Sequence, residues 1–280
     1  MNDKPKMFTA NKVAKVVTIT PELAENWLRF NTRNRTIDKN RVASYKQLIE
    51  DGMWKFNGEA IVFNTDGGLN NGQHRLGGCA ASGKSIESVV VWGATPDSII
   101  TIDRGRARTL RDNLTIMRDK KNRDLASVLK SCVIWFERGQ HNGRAMKGSG
   151  VFQHEEAIAY FDAHPEIMDF DLYKGETPRR IATPSVLWFA HYLCAQVDGT
   201  DADYFFDHIL TGHQGSNPMD ETIFRTRETL MSRREDLTKE KDVQLALILI
   251  GWNKFRAGET PKLIRWTGKG ANAQKFPEPH

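Results

Sequence analysis

"NTDGGLNNGQHRLGGCAAS", Asn64 to Ser82, is the stretch on which the reading of this chain turns. A strand over Ala60 to Phe63 runs into a turn at Asp66-Gly67-Gly68, a second short arm leads to Gly72, and a helix opens at Gln73 and stops before Gly83. At 100° per residue, Leu76, Cys79 and Ala80 fall on one face of that helix, which makes it the core side and Cys79 a structural cysteine. His74 then points nearly the other way, among Gly77, Gly78 and Ala81, so the sequence predicts bare backbone there for a ligand to approach closely. Unpaired N–H groups at a helix start attract an anion, and Arg75 adds a planar cationic fork; a phosphate suits this corner. The plain structural reading is a turn glycine followed by two surface side chains, and composition alone does not separate the two.

Upstream, the β-branched run Val13 to Ile19 reads as a strand, and Thr20 caps a helix that starts at Pro21. The polar, basic segment "NTRNRT", Asn31 to Thr36, follows. Asp38 then caps a second helix, in which Val42, Tyr45, Leu48 and Ile49 recur at helical spacing before Gly52. Downstream, "IESVVVWG" from Ile86 is a buried strand. Beyond Leu110 the pattern turns helical, with an apolar stripe through Leu125, Val128, Leu129, Cys132, Val133 and Phe136. A Gly-rich basic loop at 138–150 follows, then helices near Glu155–His164, Pro184–Val197, Asp201–Leu210, Glu221–Arg234 and Lys241–Ala257. The expected organisation is an α/β (α+β) domain with a small mixed sheet over residues 10–114, an α-helical domain over 115–260, and an extended or loosely packed tail over 261–280.

With 39% hydrophobic and 27% charged residues in 280, the chain is neither disordered nor fibrous. Cys79, Cys132 and Cys194 are scattered without a CxxC pair, which disfavours a disulfide framework or a zinc knuckle. The start lacks a signal-peptide core, and "VQLALILIGW" from Val243 is too short to span a membrane. A cytoplasmic protein of a bacterial or phage-infected cell is expected, with no membrane partner. A net charge of +5 permits contact with a polyanion without requiring it.

The order "NTRNRT", helix, "DGMW", strand, "NTDGGLNNGQHRL", helix, strand "VVVWG", then "TIDRGRARTLRDNL" resembles the ParB/sulfiredoxin-like superfamily, in its phage and plasmid branch with a GQHRL signature, over roughly Val13 to Leu114. In the ParB branch the corresponding helix start, of Gly-Glu-Arg-Arg type, holds a nucleoside triphosphate. In sulfiredoxins a Gly-Cys-His-Arg motif holds ATP phosphates beside a catalytic cysteine. The resemblance therefore implies a triphosphate, CTP or ATP with Mg²⁺ as a candidate companion, held by Gly72, Gln73, His74 and Arg75. Gln73 stands at the sulfiredoxin cysteine position, which contradicts sulfinic acid reduction. The Asn-Pro-Arg element of ParB proteins corresponds either to Asn31, Thr32 and Arg33 or to Asn34 and Arg35, so Arg33 and Arg35 are candidates to close on the same phosphates.

Catalytic candidates are His74, as acid/base or phosphate ligand, and Asp103, which could hold Arg75, a nucleotide hydroxyl or Mg²⁺. Asp66 reads as a turn former. Arg104 is assigned to the phosphate pocket; Arg106, Arg108 and Arg111 are assigned to nucleic acid, with Thr109 and Asp112 at capping-box spacing. The alternative for these arginines is a solvated, charged helix start. Trp252, Lys254, Phe255, Arg256, Lys262, Arg265 and Trp266 interleave aromatics and cations as single-strand binding surfaces do, although aromatics at that spacing more often serve a core. His141, His154 and His164 show no metal-ligand spacing, no metal ligand is assigned, and no recognition helix is identified. The reading is a ParB-like nucleotide-binding protein acting on or with DNA, with a second copy of the chain as a candidate partner. The alternative is an NTPase or phosphotransferase in nucleic-acid modification; a nuclease carries less weight, because no carboxylate cluster is seen in the motif region.

Overall fold

The computed structural model describes residues 11–32, 34, 36–102, 108–143, 152–213, 219–268 and 273–280. The chain is a mixed α/β protein that divides into two compact units, Met1–Ala107 and Arg108–His280.

The first unit contains, in order, β1 (Val13–Ile19), α1 (Pro21–Leu28), α2 (Lys39–Glu50), β2 (Ile61–Asn64), β3 (Leu69–Asn71), α3 (Gln73–Ser82) and β4 (Ile86–Ala94), then a 3₁₀ turn at Pro96–Thr101. Its strands form a small sheet in the order β1-β4-β2-β3. Strand β4 pairs antiparallel with β1, from Val13 opposite Trp92 to Ile19 opposite Ile86, and parallel with β2, where Ile61 meets Val90. Strands β2 and β3 form the expected hairpin. The parallel pair requires a crossover, and α3 supplies it. Alternation along the strands sends Ile19, Ile61, Phe63, Val90 and Trp92 into one core with Trp27, Leu76 and Cys79. Both expected caps form: Thr20 Oγ1 accepts from the Leu23 N–H, and the Asp38 carboxylate accepts from the N–H groups of Asn40 and Arg41.

The second unit is helical among its described residues: α4 (Leu110–Arg118), α5 (Leu125–Cys132) running into a π turn at Val133–Glu137, α6 (His154–Ala163), α7 (Glu176–Ile181), α8 (Pro184–Ala195), α9 (Gly199–Thr211), α10 (Asp220–Ser232) and α11 (Lys241–Arg256). Helix α8 is buried at every residue from Ser185 to Cys194, as a helix apolar all round must be, and α9 and α11 pack beside it. The described part of the tail takes no helix or strand, as an extended segment should, and it is anchored at a few points. Ile264 and Phe276 are buried, Phe276 meets Trp266 and Trp135 edge-on, and Asn253 Nδ2 donates to the Glu278 carbonyl at 2.8 Å. Apolar residues spaced along an extended chain bury without leaving a helical period. Trp252 and Phe255 are core residues, and the Arg256 guanidinium lies 5.6 Å from the Trp252 ring while paired with Asp198.

Within this unit His191 is buried against Tyr173, whose hydroxyl is 2.8 Å from Nδ1, and Asp203, whose carboxylate is 3.0 Å from Nε2. Burial lowers the His191 pKa from 6.5 despite the opposing pull of Asp203. The unfolded chain therefore takes up the proton more readily than the folded one. Stability is full above pH 6.5 and falls as the pH drops below it. Urea midpoints should be lower at about pH 5 than at about pH 7.5, and His191→Gln should shrink that difference. Equal midpoints in the parent protein would remove the assignment.

Candidate functional site

The corner at Gly72 is built by three constraints. Gly72 has φ 106°, a left-handed conformation that L side chains avoid, and a Cβ there would lie 2.8 Å from Ile61 Cγ1. Having no side chain, it leaves the first-turn N–H groups of α3 without a cap from its own position. Gln73, His74 and Arg75 are all buried, although the sequence reading made the last two surface-facing.

Each of the three reaches a different part of the first unit. Gln73 Oε1 accepts from Asn31 Nδ2 at 2.8 Å, which ties the 31–38 loop to the motif. His74 Nε2 accepts from the backbone N–H of Asp38, the residue that caps α2, at 3.1 Å. That role requires an unprotonated Nε2, so this ring is the neutral tautomer carrying its proton on Nδ1. Arg75 spends its fork on main-chain carbonyls: Nη1 donates to the Glu59 carbonyl at 2.6 Å and Nη2 to the Ala60 carbonyl at 2.9 Å. In this arrangement the guanidinium is engaged by the two main-chain carbonyls that lead into β2.

The bare backbone expected around His74 exists, but helix α2 occupies it. A Cβ on Gly78 would stand 2.4 Å from Tyr45 Cβ and 3.0 Å from the Lys46 nitrogen, and one on Gly77 would touch Val42. The glycines let two helices approach closely, and the Asp38 N–H reaches His74 because they do. Cys79 lies in the core, where its thiol is close to the carbonyls of Ile19 and Lys84 and burial pushes its pKa up to about 11. A thiol so placed is a poor nucleophile.

Sequence reasoning missed the amides. Asn34 Nδ2 donates to Asn31 Oδ1 and to the Leu69 carbonyl. Asp66 lies in the hairpin turn as expected, and Asn64 Oδ1 also shapes it by accepting from the N–H groups of Asp66 and Gly68. Asn64 Nδ2 then donates to Asn70 Oδ1 at 2.7 Å, and Asn70 Nδ2 to the Thr95 carbonyl and Ser98 Oγ. Asn70 thereby binds the 3₁₀ turn after β4 to β3, the strand that leads into Gly72. The one available signal was the density of Asn and Gln around the motif, which reads equally well as turn chemistry.

Arg33, Arg35, Asp103, Arg104 and Arg106 lie outside the described residues. Arg108 and Arg111 are exposed at the start of α4. The predicted capping box there is present, with Asp112 accepting from the Thr109 N–H and Thr109 Oγ1 accepting from the Asp112 N–H. Among the described residues no group of three or more His, Cys, Asp or Glu side chains is placed to hold a metal ion, and no helix is long and apolar enough to cross a membrane. No family model, curated protein or solved structure matches the chain.

Proposed function

We propose that the first unit is a ParB-like nucleotide-binding module that works with DNA, and that a triphosphate, CTP or ATP with or without Mg²⁺, sits at the start of α3. The observation that carries this reading is the double tether of the Gly72 corner. Asn31 joins it to the loop that bears Arg33 and Arg35, and Asn70 joins it to the 3₁₀ turn that leads toward Asp103 and Arg104. Asn31 and the turn that holds Ser98 are tied to a helix start whose cap residue has no side chain, and each is followed in the sequence by arginines. A phosphate arriving there competes with Gln73 for the Asn31 amide N–H and with His74 for the Asp38 N–H. Occupancy therefore shifts the 31–38 loop and the start of α2.

Such an arrangement favours a gate over turnover. His74 Nε2 is held as an acceptor by a backbone N–H and must leave it to act as an acid, whereas a gate needs only unequal nucleotide affinity in two loop positions. The exposed Arg108 and Arg111 at the start of α4 supply the proposed contact with DNA phosphates.

Calorimetry with each nucleoside triphosphate, with and without Mg²⁺, tests the module. The parent protein should bind at least one of them, and Asn31→Ala, which removes a donor to the anion, should weaken it about tenfold, the value of one hydrogen bond to a charged group of about 1.5 kcal/mol. No binding by the folded parent at millimolar nucleotide defeats the reading. For the DNA half, Arg108→Ala/Arg111→Ala should reduce the slope of log K against log salt by roughly 1.4 to 1.8, the counterions of two phosphate contacts.

A further inference from the structure

We propose that the second unit carries a separate site for an organic cation, an alkylammonium or guanidinium group with an apolar stem, in a cleft between the 3₁₀ turn Pro165–Phe170, α8 and α9. The cleft is about 670 Å³, within the range that takes a small organic ligand or one long side chain. It does not depend on the nucleotide reading and shares no residue with the Gly72 corner.

Its floor is aromatic. Tyr173, His191 and Phe206 line it and are buried; His191 stacks on Phe206 with centroids 4.6 Å apart, and Phe170 meets His191 edge-on at 4.9 Å. The polar atoms of this floor are turned on each other. The Tyr173 hydroxyl donates to His191 Nδ1, and the opposite nitrogen donates to Asp203. The ring surface left for a ligand is that of half-buried Phe170, which the buried rings hold in place and whose quadrupole attracts positive charge.

The mouth is acidic. Asp203 and Asp207 keep side-chain exposures of 75% and 69%, and Glu166 and Asp169 stand exposed on the opposite wall. No lysine or arginine is among the lining residues, in a chain with 40 basic against 35 acidic residues. This local reversal of charge repels an anion, and a neutral ligand has no use for four carboxylates. A hard metal ion wants converging oxygens at short range, and the aromatic floor offers it none. A cation with an apolar body uses every feature: its head meets the carboxylates and the Phe170 ring while its stem lies along Leu172 and Leu210.

The test uses the full-length protein and saturation-transfer NMR with three probes: choline, the neutral carbon isostere of choline, and arginine amide. Choline or arginine amide should bind, and the isostere should be at least about tenfold weaker than choline, the loss of one charge-assisted contact. Preference for arginine amide identifies a side chain of a protein partner as the natural occupant; preference for choline identifies a free small molecule. Asp169→Asn/Asp207→Asn, both on exposed positions, should weaken the bound cation about tenfold, and Phe170→Leu, which keeps an apolar wall without a π face, about two- to fivefold. Equal binding of choline and its isostere, no transfer to either cation from folded parent protein, or no change in the acidic double variant overturns the site.

Discussion

Gly78→Ala is expected to destabilise the first unit by about 3 kcal/mol, the upper end of the usual cost of overpacking. The added methyl would stand 2.4 Å from Tyr45 Cβ and 3.0 Å from the Lys46 backbone nitrogen, and neither can move without shifting α2. Gly77→Ala, one residue away, meets only the Val42 side chain at 3.0 Å, which can rotate or give, so its cost should be smaller. Gly83→Ala has open space and only the strain of φ +67°, about 1 kcal/mol. Chemical denaturation should rank Gly78→Ala as the most damaging of the three. Because α2 carries the Asp38 N–H that holds His74, nucleotide affinity should fall with it, even in protein that remains folded. A Gly78→Ala protein as stable as Gly83→Ala would mean that the two helices do not pack as described.

What could be read from sequence was what lies close along the chain. Thr20 before Pro21, Asp38 two residues before Asn40, Thr109 with Asp112, and Gly72 before a helix are each settled within a turn of backbone, and all four appear. The face of α3 that carries Leu76 and Cys79 was legible because helical periodicity fixes it. The opposite face was read correctly in shape, and helix α2 makes the close approach at Gly77 and Gly78. Small residues signal a close approach, but they do not reveal whether a ligand or a helix 30 residues earlier makes it. The same limit applied to Arg75, whose partners precede it by 15 and 16 residues, and to the tail, whose anchors on Trp135 and Asn253 lie in other elements. The four carboxylates of the second cleft come from 166–169 and 203–207, two segments with no shared periodicity, so only the folded chain brings them together.

Arg75→Met should cost the first unit about 3 kcal/mol, twice the lower value for a hydrogen bond to a charged group. The lower value applies because neither carbonyl is left alone: the Glu59 carbonyl also accepts from Ser88 Oγ at 3.2 Å and the Ala60 carbonyl from Asn71 Nδ2 at 3.2 Å. The Glu59 carboxylate, 3.9 Å from Nη1 and exposed, adds little. Arg75→Lys should fall between methionine and the parent, since one ammonium cannot span two successive carbonyls as the planar fork does. The decisive comparison sets stability against nucleotide binding. For a structural arginine, urea midpoints drop in the order Arg, Lys, Met, and the folded fraction of each variant binds nucleotide nearly as the parent does. For an arginine that grips phosphate, the order in stability disappears while affinity collapses about 10- to 150-fold in both variants. The geometry favours the first pattern, because both arms of the Arg75 fork are already engaged by main-chain carbonyls, which leaves the proposed triphosphate to backbone N–H groups and to the segments tethered through Asn31 and Asn70.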